Sequence, residues 1–168
     1  YNRQYLTEHV NKILTLSGKK HSNIYLLMVS VDRLKAVIDE FDYDTGDKVL
    51  IKLANVIHST IEEYDLVARV TGDDFLVAIT SCKDLECVEN IIKKIILNFS
   101  KIKVPVSNNH TLQKTICVGF DCIGENCTVS IDEALKNADN ALYEAKNMGI
   151  NSYKNFKELK DEESFQLF

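Results

Sequence analysis

The chain predicts a single α+β domain, with helices laid against a sheet and the two kinds of element alternating along the sequence. Three observations predict it. The 168 residues, 45% of them hydrophobic, supply enough apolar surface for one sizeable core. The run "NIYLLMVSV" at 23–31 is almost wholly apolar, as a strand covered on both faces would be. The runs "DLVARV" at 65–70 and "FLVAIT" at 75–80 are strand-like, and the polar four-residue joint between them contains Gly72, as a hairpin needs.

Residues 3–16 read as a helix with Tyr5, Val10, Ile13 and Leu14 inward, ahead of the central strand 23–31. Residues 33–41 place Leu34, Val37, Ile38 and Phe41 at helical spacing, and 44–61 adds a longer helix through Val49, Leu50, Leu53, Ile57 and Ile61. After the hairpin, 84–99 forms one continuous apolar face from Leu85 to Phe99. "KVPVSNNHTLQKTICVGF" predicts two strands around an Asn108-Asn109 turn, with Pro105 where a strand edge tolerates it. Ser130 and Glu133 then form a capping box for helix 131–147, which Gly149 closes. The predicted order is α-β-α-α-β-β-α-β-β-α. The end, "KNFKELKDEESFQLF", is charged, lacks a periodic face and reads as a linker or a frayed helix.

Composition excludes several functions. Twenty basic against 25 acidic residues give a net charge of −5, with no dense Lys/Arg block for nucleic acid. No apolar run approaches the ~20 residues that cross a bilayer, and no signal-peptide pattern opens the chain, so a soluble, cytoplasmic fragment without membrane contact is expected. Cys82, Cys87, Cys117, Cys122 and Cys127 lack CxxC spacing and read as free cytosolic thiols.

If strand 23–31 neighbours the hairpin, Ser30, Asp32, Asp73 and Asp74 converge. Such a cluster could hold Mg²⁺, a hard cation that prefers oxygen ligands and shares its shell with substrate phosphates. The plain alternative is a turn, because Gly and Asp are ordinary turn residues.

Four segments in order carry a family resemblance. "ARVTGDDF" resembles the R-x-GGDEF signature of GGDEF domains, the catalytic domain of diguanylate cyclases. "VSVDRLKAVIDEFDYDTGDKVL" at 29–50, "TICVGF" and "ADNALYEAKNMGIN" are similar to that family's other conserved segments, and "YNRQYL" looks like its first motif entered partway through. The resemblance covers about residues 1–155, leaving 156–168 as a charged tail. It implies a mostly antiparallel sheet of about five strands flanked by helices, like the palm of polymerases and nucleotidyl cyclases. It also implies a reaction in which two GTP-loaded domains meet, each 3′-hydroxyl attacks the other nucleotide's α-phosphate, and pyrophosphate leaves as cyclic di-GMP closes. Two Mg²⁺ ions would assist.

By the same resemblance Asp73 takes the catalytic and metal-binding acid position, Val31 would lend a backbone carbonyl to the metal, and Asp32 keeps the second acid of the family's D-x-D. Lys35, Gly72 and Lys146 match nucleotide-binding positions, and Asp47 matches the acid that reads guanine. Three polar or charged contacts of the pattern are lost. The family's first metal-binding Asp falls on Ser30, its guanine-reading Asn on Ile38, and a phosphate-binding Arg on Ile150. Thr71 replaces the first Gly of the signature, where its Cβ would crowd a phosphate. The Arg of the inhibitory product site, R-x-x-D, is replaced by Glu62, three residues before Asp65. Each lost polar contact costs about 1–3 kcal/mol. The expectation is a degenerate domain, catalytically silent, acting as a GTP-binding or dimerisation module in a larger cyclic di-GMP signalling protein; the alternative is a working cyclase. Such domains often precede an EAL phosphodiesterase domain, and the chain is expected to be cut from a longer protein.

Overall fold

In the computed structural model, the described residues are 1–16, 23–70, 72–106, 109–124, 126–128 and 130–166. The elements are α1 (Arg3–Leu16), β1 (Ile24–Val31), α2 (Leu34–Glu40), α3 (Tyr43–Thr60), β2 (Leu66–Arg69), β3 (Phe75–Ile79) and α4 (Leu85–Ser100). They continue with β4 (Val104–Pro105), β5 (Thr111–Leu112), β6 (Ile116–Ile123), α5 (Ile131–Met148), β7 (Tyr153–Asn155) and α6 (Phe156–Gln166). Five strands form one sheet in the order β2-β3-β1-β6-β7, and β4 and β5 form a separate small ribbon. The pairs β2/β3, β3/β1 and β1/β6 are antiparallel, while β6/β7 is parallel. This is the mostly antiparallel α+β architecture that the sequence predicts.

The apolar run of β1 places every residue in the interior because helices cover both faces of the sheet. Alternation sends Leu27 and Val29 to one core with α2, α3 and α4. It sends Leu26 and Met28 to a second core with α1 and α5. The central position of β1 follows from its hydrophobicity.

Several expectations need correction. Residues 103–120 hold three strands rather than two, because the polar stretch 113–115 separates the short β4–β5 ribbon from β6. Asn109 has a φ of 62°, whereas Asn108, the other residue of the predicted turn, lies outside the described residues. Tyr5 does not face inward: Leu6 and Val10 fill the core side of α1, and Tyr5 stacks outside between Tyr1 and His9, at 4.5 and 6.0 Å between ring centroids. The charged end, as far as Gln166, forms the helix α6. Asn155 Oδ1 accepts a hydrogen bond from Lys157 N at 3.1 Å as α6 begins, and Lys154 pairs with Glu162 at 3.0 Å.

Four of the five cysteines are not free thiols. Cys82 is bonded to Cys87 and Cys122 to Cys127, each with Cα atoms 5.5 Å apart. Chain reversals cause both pairings. One joins the end of β3 to the first turn of α4; the other closes the turn after β6, where Thr128 N donates to Cys122 O at 3.1 Å. By loop-closure entropy, bridging so few residues stabilises the fold by roughly 2 kcal/mol per bridge. Cys117 alone is free, and it is buried.

Candidate functional site

The antiparallel register of β1 and β3 pairs Val29 with Phe75, so residues 30 and 31 reach the level of the hairpin tip. Gly72 adopts a φ of +86°, which favours glycine, and Val70 N donates to Asp74 O at 3.0 Å across the turn. Thr71 lies outside the described residues.

The two hairpin acids part company. Asp73 lies 3.9 Å from Nη2 of Arg69, which lies equally far from Asp47. Asp74 faces α5. There burial pushes the Asp139 carboxyl up from its ordinary value, Arg3 pulls it back down, and the charge of Asp74 pushes it up again. The turn thus sets one carboxylate beside Arg69 and the other near Asp139, rather than both on one partner. Arg69 was not singled out by residue type and spacing, although it is the Arg of the quoted signature. Half exposed, its two ion pairs are worth at most about 1 kcal/mol each; its effect is to place a cation between the two acids.

At the end of β1, Ser30 is buried opposite Cys117 of β6. Asp32 is buried as well, and its carboxylate accepts hydrogen bonds from Thr115 Oγ1 at 2.5 Å, Asn151 N at 2.8 Å and Cys117 Sγ at 3.0 Å. These partners lie on the β6 side of β1, away from the hairpin. Burial pushes the Cys117 thiol up to about 11, and its bond to Asp32 adds to that rise.

The remaining donors do not fit a pair of Mg²⁺ ions. Asp73 and the Val31 carbonyl are left, Ser30 carries no charge, and Asp32 is engaged with its own sheet. Among the described residues, no three His, Cys, Asp or Glu side chains are arranged to hold a metal ion. Mg²⁺ held by protein and phosphate oxygens calls for one or two available carboxylates per ion.

On the nucleotide side, Val31, Asp32 and Lys146 line one depression of about 280 Å³, together with Arg33, Gly149 and Ile150. Arg33, which sequence reasoning missed, has a left-handed φ of 54° just before α2. Lys35, exposed in the first turn of α2, and Gly72 are not among the residues lining this depression. Ile38 packs on the core and lies so close to Gly46 that a Cβ there would sit 2.8 Å from Ile38 Cγ1. An apolar side chain therefore stands beside Asp47, where the resemblance places guanine recognition. At the product-site position, Glu62 is exposed and Asp65 is buried, accepting hydrogen bonds from Glu62 N, Thr80 N, Ser81 N and the hydroxyls of Thr80 and Ser81.

Comparison with known proteins agrees with this fold. The family model described as "Diguanylate cyclase, GGDEF domain" matches residues 1–152. The chain is 32% identical to the probable diguanylate cyclase DgcT of Escherichia coli over 153 residues, 90% of this chain and 33% of that protein. Among solved structures, the GGDEF domain of YfiN (TpbB) from Pseudomonas aeruginosa superposes with a TM-score of 0.85 at 25% identity, covering 92% of this chain and 95% of that one. An EAL/GGDEF domain protein from M. capsulatus superposes at 0.72 with 26% identity, covering 93% and 99%. The chain spans between about a fifth and a third of the length of the curated relatives it matches. With the family model matching nearly its whole length and the sheet, hairpin and flanking helices in the expected places, the chain belongs to the GGDEF, or diguanylate cyclase, domain family.

Proposed function

We infer that this GGDEF domain has lost its cyclase chemistry and serves as a regulatory module of a larger cytoplasmic cyclic di-GMP signalling protein, binding GTP without turning it over or mediating dimerisation. The carrying observation is the engagement of Asp32. Its carboxylate is held by Thr115, Cys117 and Asn151, so it is not available to replace the acid missing at Ser30. Asp74 faces Asp139, which weighs against its serving as the substitute. The apolar Ile38 and Ile150 remove one contact each to base and phosphate, at about 1–3 kcal/mol apiece.

Lys146 and Arg33 still bring positive charge to the depression at the end of β1, which supports residual binding of a nucleotide's phosphates. Neighbours of the EAL type are the natural downstream partners for such a module. Incubation with GTP and Mg²⁺ is expected to yield no cyclic di-GMP by chromatography, and clear turnover would overturn the reading in favour of a working cyclase. Isothermal titration then divides the two regulatory forms: submillimolar GTP binding makes the domain a nucleotide sensor, and absent binding makes it a scaffold.

A further inference from the structure

We propose that the Cys122–Cys127 pair is a thiol–disulfide switch that controls the docking of α6. The bonded pair closes the turn that follows β6, and this turn brings Thr128 back onto the sheet. Thr128 Oγ1 donates to the buried Asp121 at 2.6 Å, and Asn137 of α5 donates to the same carboxylate oxygen at 2.9 Å. The outer side of the turn meets α6. Cys122 and Cys127 line a cavity of about 340 Å³ together with Phe156, Lys157 and Lys160 from the first turns of that helix. One covalent bond therefore lies between the end of a central strand and the helix that follows the last strand.

Thiol–disulfide exchange requires an attacking thiolate to reach a sulfur. The Cys82–Cys87 bridge offers one such sulfur, because Cys82 is fully buried and Cys87 is half-buried at a surface depression of its own. Cys122 and Cys127 are both half-buried, and of the two bridges theirs is the one whose cavity is shared with α6, so attack at either sulfur opens the bond beside that helix. In reducing compartments, protein disulfides are characteristically transient and redox-sensing. The reductant is a dithiol. Its thiolate attacks one sulfur of the pair, the Cys122–Cys127 bond breaks, and the other cysteine leaves as a thiolate and takes up a proton. The second thiol of the reductant then attacks its own sulfur in the mixed disulfide and frees the remaining cysteine. The protein gains two electrons and two protons, and the dithiol becomes a cyclic disulfide.

Freed of the bond, the turn holds Thr128 by hydrogen bonds alone, and the first turns of α6 lose a fixed wall. The test is hydrogen–deuterium exchange on the full chain, oxidised with diamide or reduced with dithiothreitol. Amides of 126–128 and 156–160 are expected to exchange about tenfold faster after reduction, as local opening replaces a pinned loop. Cys82→Ser/Cys87→Ser is expected to keep this response, and Cys122→Ser/Cys127→Ser to exchange like the reduced protein in both buffers. Equal exchange of the wild type in the two buffers overturns the proposal, as does a response that survives loss of Cys122 and Cys127. Should the second variant fail to fold, alkylation and mass spectrometry of the wild type decide. Opening of Cys122–Cys127 with faster α6 exchange supports the switch; opening of Cys82–Cys87 alone overturns it.

Discussion

Asp32 holds three chain segments at one point: the end of β1, the approach to β6 and the loop after α5. Replacing it by Ala removes three accepted hydrogen bonds, one from the buried Cys117 and two part-buried ones from Thr115 and Asn151. Asp32→Ala is expected to cost about 3 kcal/mol, read from the urea midpoint; a loss under about 1 kcal/mol would argue that the carboxylate is free for other work. Its neighbour Cys117 gives a pH signature. The folded chain raises this thiol from 9.0 to about 11, so it keeps a proton that the unfolded chain has released. That contribution is complete below pH 9 and is lost as pH rises towards 11. Cys117→Ala is expected to flatten the fall of the urea midpoint across this window; an unchanged slope would show that other groups cause it. Ser30→Asp adds a carboxylate where the family binds metal. Mg²⁺ is expected to raise the melting temperature of this variant and not of the parent, while GTP turnover stays absent because Ile38 is unchanged. Turnover in the single variant would show that Ser30 alone silences the site.

At the scale of elements, the β6–α5 contact sets the geometry of the site. Gly119 lies so close to α5 that a Cβ would collide with the backbone at Leu142 N and Ala138 O. Backbone cannot step aside as a side chain can, so Gly119→Ala is expected to destabilise the fold by about 3 kcal/mol or more, measured by thermal melting. A neutral effect would mean that α5 slides freely on the sheet. The helices were legible because their apolar residues recur at helical spacing over 14 to 18 residues in α1, α3, α4 and α5. Short elements were not. The strands β4 and β5 have two residues each and β7 has three, too few for a period to show. Helix α6 is held by contacts with α5, β6 and β7 rather than by an apolar stripe of its own.

For the molecule as a whole, active members of this family need two loaded domains to meet, so product formation should depend steeply on protein concentration. In this chain the expected result is no cyclic di-GMP at any concentration, followed by chromatography across a dilution series. A product yield that climbs with the square of concentration would identify a working dimer. The site sits at one end of the sheet, beside the hairpin, whereas the Cys122–Cys127 turn lies after the far end of β6. The candidate site and the bridge beside α6 are thus set apart within one fold.

Sequence alone determined the identity of the domain, its central strand, its hairpin and the three substitutions at Ser30, Ile38 and Ile150. These depend on residue type and on local spacing, which the chain carries in one dimension. Tertiary structure decided the direction of each carboxylate. That Asp73 turns to Arg69, Asp74 to the α5 side and Asp32 to β6 depends on which strands pair and which face each residue takes. It likewise decided the cysteine pairing, since five-residue spacing permits a bridge only where the backbone reverses to bring the Cα atoms within reach.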